Sequence, residues 1–314
     1  MIALGFTVMC LIFGTTFLAI KVGIDAGLAP FYSASIRFIA AGGLLFLYML
    51  WKKKAALSLL WRKETVITGS LVTFGTFSTL YWAEQHISSG LAAVLSATGP
   101  IMILLLQTVR TRQRTPFLSA AGCAVGFAGV FVLMLPGLKL DFSYMWLAGC
   151  LVVLLGELCY SGGALYSKSV MDRRPDESPL ALNAAQMLFG GFLLLILSLL
   201  VEHPQPDQIL TLPALGSILY LAVAGSMVGH SLFYWLNAKT NPVFPSTWLY
   251  ISPLIAMGLG SLVYGEAFSW ISAAGALIIL AGIILVNLRS LQTLLGSRKQ
   301  AAPLPPLQSN AESA

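Results

Sequence analysis

Charged residues are scarce in this chain of 314 residues. Asp, Glu, Lys and Arg make up only 10% of it, whereas 57% is hydrophobic and the mean hydropathy is +0.84. A soluble domain of this length needs much more polar surface to cover itself. The composition therefore excludes an ordinary soluble protein and indicates an integral membrane protein.

The sequence also lacks the common motifs of nucleotide binding and hydrolysis. It contains no Gly-x-x-x-x-Gly-Lys, Gly-x-Ser-x-Gly or His-Glu-x-x-His run. Four cysteines, without metal-ligand spacing, lie in apolar segments, namely Cys10, Cys123, Cys150 and Cys159. We therefore expect no ATP-driven pump, no enzyme, no cofactor and no metal site. The net charge of +6 is interpreted as a topology signal, and no nucleic-acid partner is expected.

What is present is a series of long apolar runs. A bilayer core about 30 Å thick requires about 20 apolar residues per helix. The runs cover residues 3–22, 31–51, 65–84, 88–108, 117–136, 145–168, 180–201, 212–237, 244–264 and 268–289. The sequence thus predicts an all-α integral membrane protein with ten transmembrane helices, five in each half.

Short strings in the first half return in the second half. Ser119-Ala120-Ala121-Gly122 recurs 153 residues later, and Leu80-Tyr81-Trp82 and Gly99-Pro100 have counterparts at that same separation. The end of span 1, at Lys21, matches the end of span 6, at Lys168, at a separation of 147. Because each copy has an odd number of spans, the prediction is two inverted five-helix repeats, which is a layout of alternating-access carriers.

Lysine and arginine are concentrated on one side of these spans. Fifteen of the 18 fall in connections 2–3, 4–5, 6–7 and 8–9 or after span 10, whereas Lys21 and Lys139 fall on the other side and Arg37 lies within a helix. Since basic loops stay in the cytoplasm, we expect both termini there, in the cell (plasma or inner) membrane. Lys21 then ends its span at the outer face and Lys168 at the inner face.

The predicted domain boundaries follow from these patterns. Residues 1–138 form the first repeat with spans 1–5, and residues 139–290 form the second with spans 6–10. Residues 291–314 contain a Pro-Leu-Pro-Pro string with Ser, Asn and Ala. Such a segment buries too little apolar surface to stay ordered, so a flexible cytoplasmic tail is expected.

Several strings together resemble those of a known family. They are the Gly14-Thr15-Thr16 string running to Lys21, Pro30 through Arg37-Phe38 at the start of span 2, and Gly265-Glu266 after span 9. In this order and spacing they resemble the EamA-like branch of the drug/metabolite transporter superfamily over about residues 1–290. The resemblance implies an exporter of small metabolites, often amino acids, with a central cavity lined by spans 1, 3, 4, 6, 8 and 9.

Polar residues within the spans are candidates for the solute path, since a charge at mid-membrane costs about 2.5–3.5 kcal/mol. Glu157 lies near the middle of span 6, next to Tyr160. In the functional interpretation, Glu157 binds an amine of the solute or is a protonatable coupling group. In the structural interpretation, it forms a hydrogen bond between helices. His230 shares a face of span 8 with Tyr234. Because a free imidazole titrates near neutral pH, His230 is either a proton-coupling group or a packing residue.

Other candidates lie near the helix ends and at breaks. Arg37 either extends to the interface, pairs with a carboxylate or contacts the solute, and Thr16 and Lys21 are further candidates for solute contact or gating. Trp248 is expected to line the pocket with an aromatic face. Pro100 and Pro253 occupy matching places in spans 4 and 9. Because proline interrupts a regular helix, they are either hinges or packing kinks.

The sequence therefore predicts a secondary transporter, in the export direction, with a small-molecule solute and membrane lipids as its partners and with proton coupling as one hypothesis. Two alternatives remain open: a flippase for lipids or lipid-linked sugars, and a membrane enzyme acting on lipid headgroups with Glu157 and His230 as acid and base. Glycine pairs such as Gly122 and Gly126 are compatible with packing inside a monomer or with a homodimer seam.

Overall fold

The structure, a computed structural model, is helical throughout the part of the chain that it describes. That part comprises residues 1–87, 89–112, 116–135, 143–203, 211–255 and 270–299. No β-strand occurs within these ranges, so the prediction of an all-α protein is confirmed there. Lys139, Gly265-Glu266 and residues 300–314 lie outside the described residues.

The helices of the first half are labelled α1 to α5 in chain order. Three stretches, of which the second is π-helical, follow one another directly in α3, and α4 has two stretches. The bounds are α1 Ile2–Asp25, α2 Pro30–Trp51, α3 Lys63–Thr68, Gly69–Gly75 and Thr76–Ala83, α4 Ser89–Ser96 and Gly99–Thr111, and α5 Phe117–Met134. A 3-10 helix, Leu57–Trp61, lies between α2 and α3.

The helices of the second half are labelled α6 to α10. Their bounds are α6 Tyr144–Arg173, α7 Pro179–Val201, α8 Leu212–Tyr220, Leu221–His230 and Ser231–Lys239, α9 Val243–Ile255, and α10 Trp270–Lys299. In the described residues, α1, α2, α4, α6, α7 and α8 are long and apolar enough to cross a membrane, and α5, α9 and α10 contain shorter apolar helices. The chain is thus a multi-pass membrane protein.

The C-terminal helix extends further than the sequence indicated. The flexible tail was expected to begin at residue 291, but α10 continues to Lys299. Six of the nine residues 291–299 are Leu, Gln, Arg or Lys, which favour helix, and no proline occurs before Pro303.

Both halves contain a π-helical stretch at the same place. Gly69–Gly75 lies in the middle of α3, and Leu221–His230 lies in the middle of α8. The two stretches overlap when the first is shifted by the repeat separation of 153 residues. π-helical turns are rare and concentrate at functional sites. Their recurrence supports the duplication and indicates a functional site near α3 and α8.

The helices pack in pairs that correspond between the halves. α2 packs extensively on α7 and α5 on α10, α1 contacts α8, and α6 contacts α3. If each helix is replaced by its counterpart in the other half, the pairs α2–α7 and α5–α10 are unchanged, and the pairs α1–α8 and α6–α3 become each other. The most extensive contact, α5 with α10, requires small residues, because a Cβ on Gly282 would overlap the backbone of Gly126 and a Cβ on Gly122 would lie 2.6 Å from the Val286 amide nitrogen.

A network of ion pairs joins the α2–α3 connection to the α6–α7 connection. Arg62 Nη1 lies 2.5 Å from Glu177 Oε1, and Arg174 lies 3.0 Å from the same atom and 3.8 Å from Glu64 Oε1. Glu64 is buried whereas the other three are partly exposed. The network therefore links the two halves at the end of α6 that carries Arg173 and Arg174.

Candidate functional site

A small cavity lies between α1, α2, α3, α4, α6, α8 and α9. About 50 Å³ of it is open to the centres of water-sized molecules. Since one water needs about 10–15 Å³ of such space, the cavity has room for a few waters. An organic solute of metabolite size therefore requires side chains or helices to move when it binds.

The cavity wall is built from residues that the repeat relates to one another. At separations of 147 residues for α1 with α6 and 153 for α3 with α8 and α4 with α9, four related pairs line it: Phe13 with Tyr160, Phe77 with His230, Leu80 with Phe233, and Ser96 with Leu249. Equivalent positions of the two halves thus face the same space. The cavity lies between the two halves of the chain.

Glu157 contributes a buried carboxylate to this wall. It is 6% exposed, and it interacts with Ser96 of α4. Its Oε2 makes no hydrogen bond within the described residues. The carboxylate fits because the neighbouring residue on α4 is a glycine: a Cβ on Gly99 would lie 2.6 Å from Oε2. Ser161, one turn along α6, donates a hydrogen bond to the Gly99 carbonyl at 3.2 Å.

Aromatic rings form most of the remaining wall. Trp248 lies with its ring centroid 4.5 Å from that of Phe13 and 6.2 Å from that of Phe17. Tyr160 lies close to Trp248, and its ring is tilted against that of Phe233 with 5.6 Å between the centroids. A cavity with this lining favours a solute that has an apolar or aromatic part.

His230, at the end of the π-helical stretch of α8, is surrounded by phenylalanines. Its ring lies 5.3 Å from Phe13, 5.6 Å from Phe77 and 5.8 Å from Phe38, measured between centroids. It lines the cavity and is 6% exposed. The histidine therefore contacts α1, α2 and α3 at once, so a change in its charge would be felt by all three helices.

Arg37 contributes a guanidinium to the cavity wall. It is 1% exposed, so it does not extend to the membrane interface. Its Nε donates to Ser226 Oγ at 2.8 Å and its Nη1 donates to Tyr81 Oη at 3.2 Å. The guanidinium also lies over the rings of Phe38 and Phe77, at 4.7 and 5.1 Å from their centroids.

The structure places the other candidates in different surroundings. Thr16 lines the cavity and donates to the Phe13 carbonyl at 2.8 Å. Lys21 is half-buried outside the cavity wall; it pairs with Asp25 at 3.2 Å and donates to the Glu84 carbonyl at 3.4 Å. Tyr234 is fully buried but lies beside the cavity, because the cavity faces Phe233 on this turn of α8.

The two candidate prolines differ in their effect on the helix. The α-helical conformation of α4 is interrupted at Ala97 and Thr98, and Pro100 is the second residue of the stretch that begins at Gly99. In α9 the interruption lies at Thr247, and Pro253 follows within a continuous helical stretch. Both prolines are buried.

Sequence reasoning missed several wall residues. Phe17, Phe77 and Phe233 were not predicted, because an apolar residue on a membrane helix gives no sign of whether it faces lipid, another helix or a cavity. The repeat register was the available signal, since Phe77 corresponds to His230 and Phe233 to Leu80. Among the described residues, no cluster of three His, Cys, Asp or Glu side chains is suited to hold a metal ion.

Comparisons with known proteins agree with this architecture. The model of the EamA-like transporter family matches residues 1–135 and 147–288. The inner membrane transporter YedA of Escherichia coli K12 is 27% identical over 287 residues, covering 88% of each chain. Protein PecM of Dickeya dadantii is 28% identical over 293 residues, covering 93% of each.

A further relative and a solved structure extend the comparison. The transporter sll0355 of Synechocystis is 28% identical over 293 residues, covering 88% of this chain and 87% of the relative. A protein crystal structure matches the fold with a TM-score of 0.72 at 18% identity, covering 91% of this chain and 97% of its own. With its family model matched in both halves, the chain belongs to the EamA-like transporter family of membrane proteins and is a transporter rather than an enzyme.

Proposed function

We propose that this protein is a secondary transporter that exports small organic metabolites, such as amino acids, by alternating access. The observation that carries the proposal is the cavity wall, to which repeat-related residues of both halves contribute, as in Phe13 with Tyr160 and Phe77 with His230. A binding site at the junction of two repeats is the arrangement expected when one half rocks against the other.

We take the two repeats to be inverted, with ten spans and both termini in the cytoplasm. The distribution of Lys and Arg along the sequence supports this, since it assigns Lys21 and Lys168 to opposite faces. The exchangeable helix pairings, such as α1 with α8 and α6 with α3, support the same pseudo-symmetry.

The corresponding lysines are proposed gates. Lys21, at the end of α1, pairs with Asp25 and donates to the Glu84 carbonyl just after α3. Lys168, towards the end of α6, pairs with Asp172 at 2.7 Å and donates at 3.2 Å to the Ala238 carbonyl near the end of α8. Each lysine thus ties the first helix of its repeat to the third, one at the outer face and the other at the inner face.

The roles within the cavity follow from chemistry. Glu157 is the proposed partner for a protonated amine or for a transported proton, because its Oε2 has no hydrogen-bond donor in the described residues. Tyr160, Trp248 and Phe13 hold the apolar part of the solute. His230 is the second candidate for proton coupling, and Pro100 and Pro253 are proposed hinges where the helices bend during rocking.

Transport by purified protein in proteoliposomes tests the proposal. Amino acids, nucleosides, sugars and cationic drugs are first screened by thermal shift, and those that stabilise the protein are then assayed as labelled solutes. Glu157→Gln should lower transport or change its pH dependence, whereas the exposed loop variant Asp176→Asn should leave both unchanged. Failure of the wild-type protein to move any of these solutes would refute the proposed function, and a Glu157→Gln variant with unchanged transport would remove the assigned role.

A further inference from the structure

The cavity carries two charged side chains that break its internal symmetry. Glu157 of α6 corresponds to Cys10 of α1 at the separation of 147 residues. Arg37 lies seven residues after Pro30, the first residue of α2, and Gln186 lies seven residues after Pro179, the first residue of α7. Each charge thus has an uncharged counterpart in the other repeat.

The counterparts of α2 and α7 make corresponding hydrogen bonds. Arg37 Nε donates to Ser226 Oγ in the π-helical stretch of α8. Gln186 Oε1 accepts from Thr73 Oγ1 at 2.6 Å in the π-helical stretch of α3. Thr73 and Ser226 are themselves related by the separation of 153 residues. In the second repeat, the neutral amide of Gln186 is enough to make the hydrogen bond to the π-helical stretch. The corresponding hydrogen bond in the first repeat therefore does not by itself explain why residue 37 is a charged arginine.

The charge of Arg37 also has no acidic partner in the described part of the protein. None of the ion pairs found there includes it. Glu84, just after α3, is fully buried, and neither of its carboxylate oxygens has a hydrogen-bond partner in the described residues. A guanidinium has five N–H donors, and within the described residues two of them are used, by Ser226 and Tyr81.

The surroundings hold Arg37 in position and leave room for its charged end. Ser226 and Tyr81 fix it from α8 and α3, and the ring faces of Phe38 and Phe77 lie beside it. A Cβ on Gly225 would lie 3.1 Å from Nη2, so the glycine provides space there. Removing a charge from water is costly unless an opposite charge or hydrogen-bond acceptors replace the water.

We infer that Arg37 is the anion-binding residue of the cavity, that Tyr81 and Ser226 are its positioning residues, and that the transported solute carries a carboxylate or another anionic oxygen group. The inference rests on the proposed transport function and adds the chemistry of one end of the solute. A planar guanidinium can bind such a group through two parallel hydrogen bonds. Glu157 then meets the cationic or protonated end of the same solute.

Pairs of probes that differ only in the anionic group test this inference. Binding of phenylalanine and phenylalaninamide to the purified full-length protein is measured by titration, and transport of both is measured in proteoliposomes. Phenyl phosphate and phenol form a second pair, which distinguishes a phosphate from a carboxylate. The wild-type protein should prefer the anionic member of at least one pair by roughly tenfold to a hundredfold, the range expected of hydrogen bonds to a charged group.

The variants separate charge from position. Arg37→Gln introduces the side chain of the corresponding position in α7, so it is expected to fold, and it should abolish the preference. Arg37→Lys keeps the charge without the two-pronged geometry and should retain part of the preference. Tyr81→Phe, which leaves the charge in place, should weaken binding of the anionic probe more than that of its neutral or cationic partner. Arg173→Gln, exposed near the end of α6, is the matched control and should behave as wild type.

The outcomes distinguish the inference from the function on which it rests. If the wild-type protein transports solutes of the wider panel but shows no preference for the anionic probes, or if Arg37→Gln keeps that preference, the inference is overturned and the transport function stands. If no solute of the panel is transported, the proposed function itself fails. Loss of the preference in Arg37→Gln with normal behaviour of Arg173→Gln supports the inference.

Discussion

Replacing Gly99 by alanine should force the Glu157 carboxylate out of its present position. A Cβ on residue 99 would lie 2.6 Å from Glu157 Oε2 and 2.9 Å from Leu249 Cδ1. Both distances are well inside the separation of about 3.5–4.0 Å at which non-bonded heavy atoms attract. Overpacking of a buried site in this way typically costs about 1–3 kcal/mol, and here the carboxylate is the group that can move.

A double-mutant cycle with Glu157→Ala measures how much of that cost comes from the carboxylate. Melting temperatures in detergent are compared for wild type, Gly99→Ala, Glu157→Ala and the double variant. The loss caused by Gly99→Ala should be smaller when Glu157 is already shortened, with a coupling of about 0.5–3 kcal/mol as for residues in direct contact. Gly216→Ala is the control, because nothing lies within 4 Å of a Cβ at that position.

Transport is the second measurement made on the same variants. Gly99→Ala should impair transport in proteoliposomes, since it displaces a wall residue of the cavity, whereas Gly216→Ala should not. The reasoning would be refuted if Gly99→Ala melted and transported like wild type. Strictly additive effects in the cycle would show that the alanine does not meet the carboxylate.

Three further perturbations have expected outcomes. Desolvation raises the pKa of Glu177, but hydrogen bonds from Arg62 and Arg174 outweigh it and lower the pKa below the usual 4.5. The stabilisation from these arginines is therefore present above pH 4.5 and is lost as the pH falls through the lowered pKa. Thermal melts of Glu177→Gln should lack this acid-sensitive stabilisation. Gly282→Leu should force α5 away from α10 and lower the melting temperature, by a cost of about 1–3 kcal/mol or more. Lys21→Met and Lys168→Met should each change the rate of solute exchange without abolishing binding, whereas the exposed Lys239→Met should leave both as in wild type.

The helical class was accessible from the sequence because it depends on long-range regularities of the chain, and the same kind of regularity predicts the duplication. Hydrophobic length predicted ten apolar helices, and in the described residues six are long and apolar enough to cross a membrane. Strings such as Leu80-Tyr81-Trp82 and its counterpart at Phe233 gave the predicted repeat register. The same register would have assigned Leu80 and Phe233 to one cavity wall. The prediction from the face shared with His230 gave Tyr234 on this turn of α8, whereas Phe233 lines the cavity.

The environment of Arg37 was not accessible in this way. The sequence left open whether it reaches the interface, pairs with a carboxylate or contacts the solute. The answer depends on Ser226 and Tyr81, which are far from it in the chain and belong to two other helices. The π-helical stretch around Ser226 also departs from the period of 3.6 residues on which helix faces are assigned.

Symmetric packing and asymmetric charge have separate causes in this protein. If the halves exchange roles during transport, the residues that form equivalent contacts in both states have to be similar, as Thr73 and Ser226 are. Recognition has no such requirement, because a solute with unlike ends has no internal symmetry for the site to match. A duplicated scaffold can therefore diverge at the positions that touch the solute and stay similar elsewhere. Arg37 and Glu157, whose counterparts are Gln186 and Cys10, are the charged positions of the wall where this divergence has occurred.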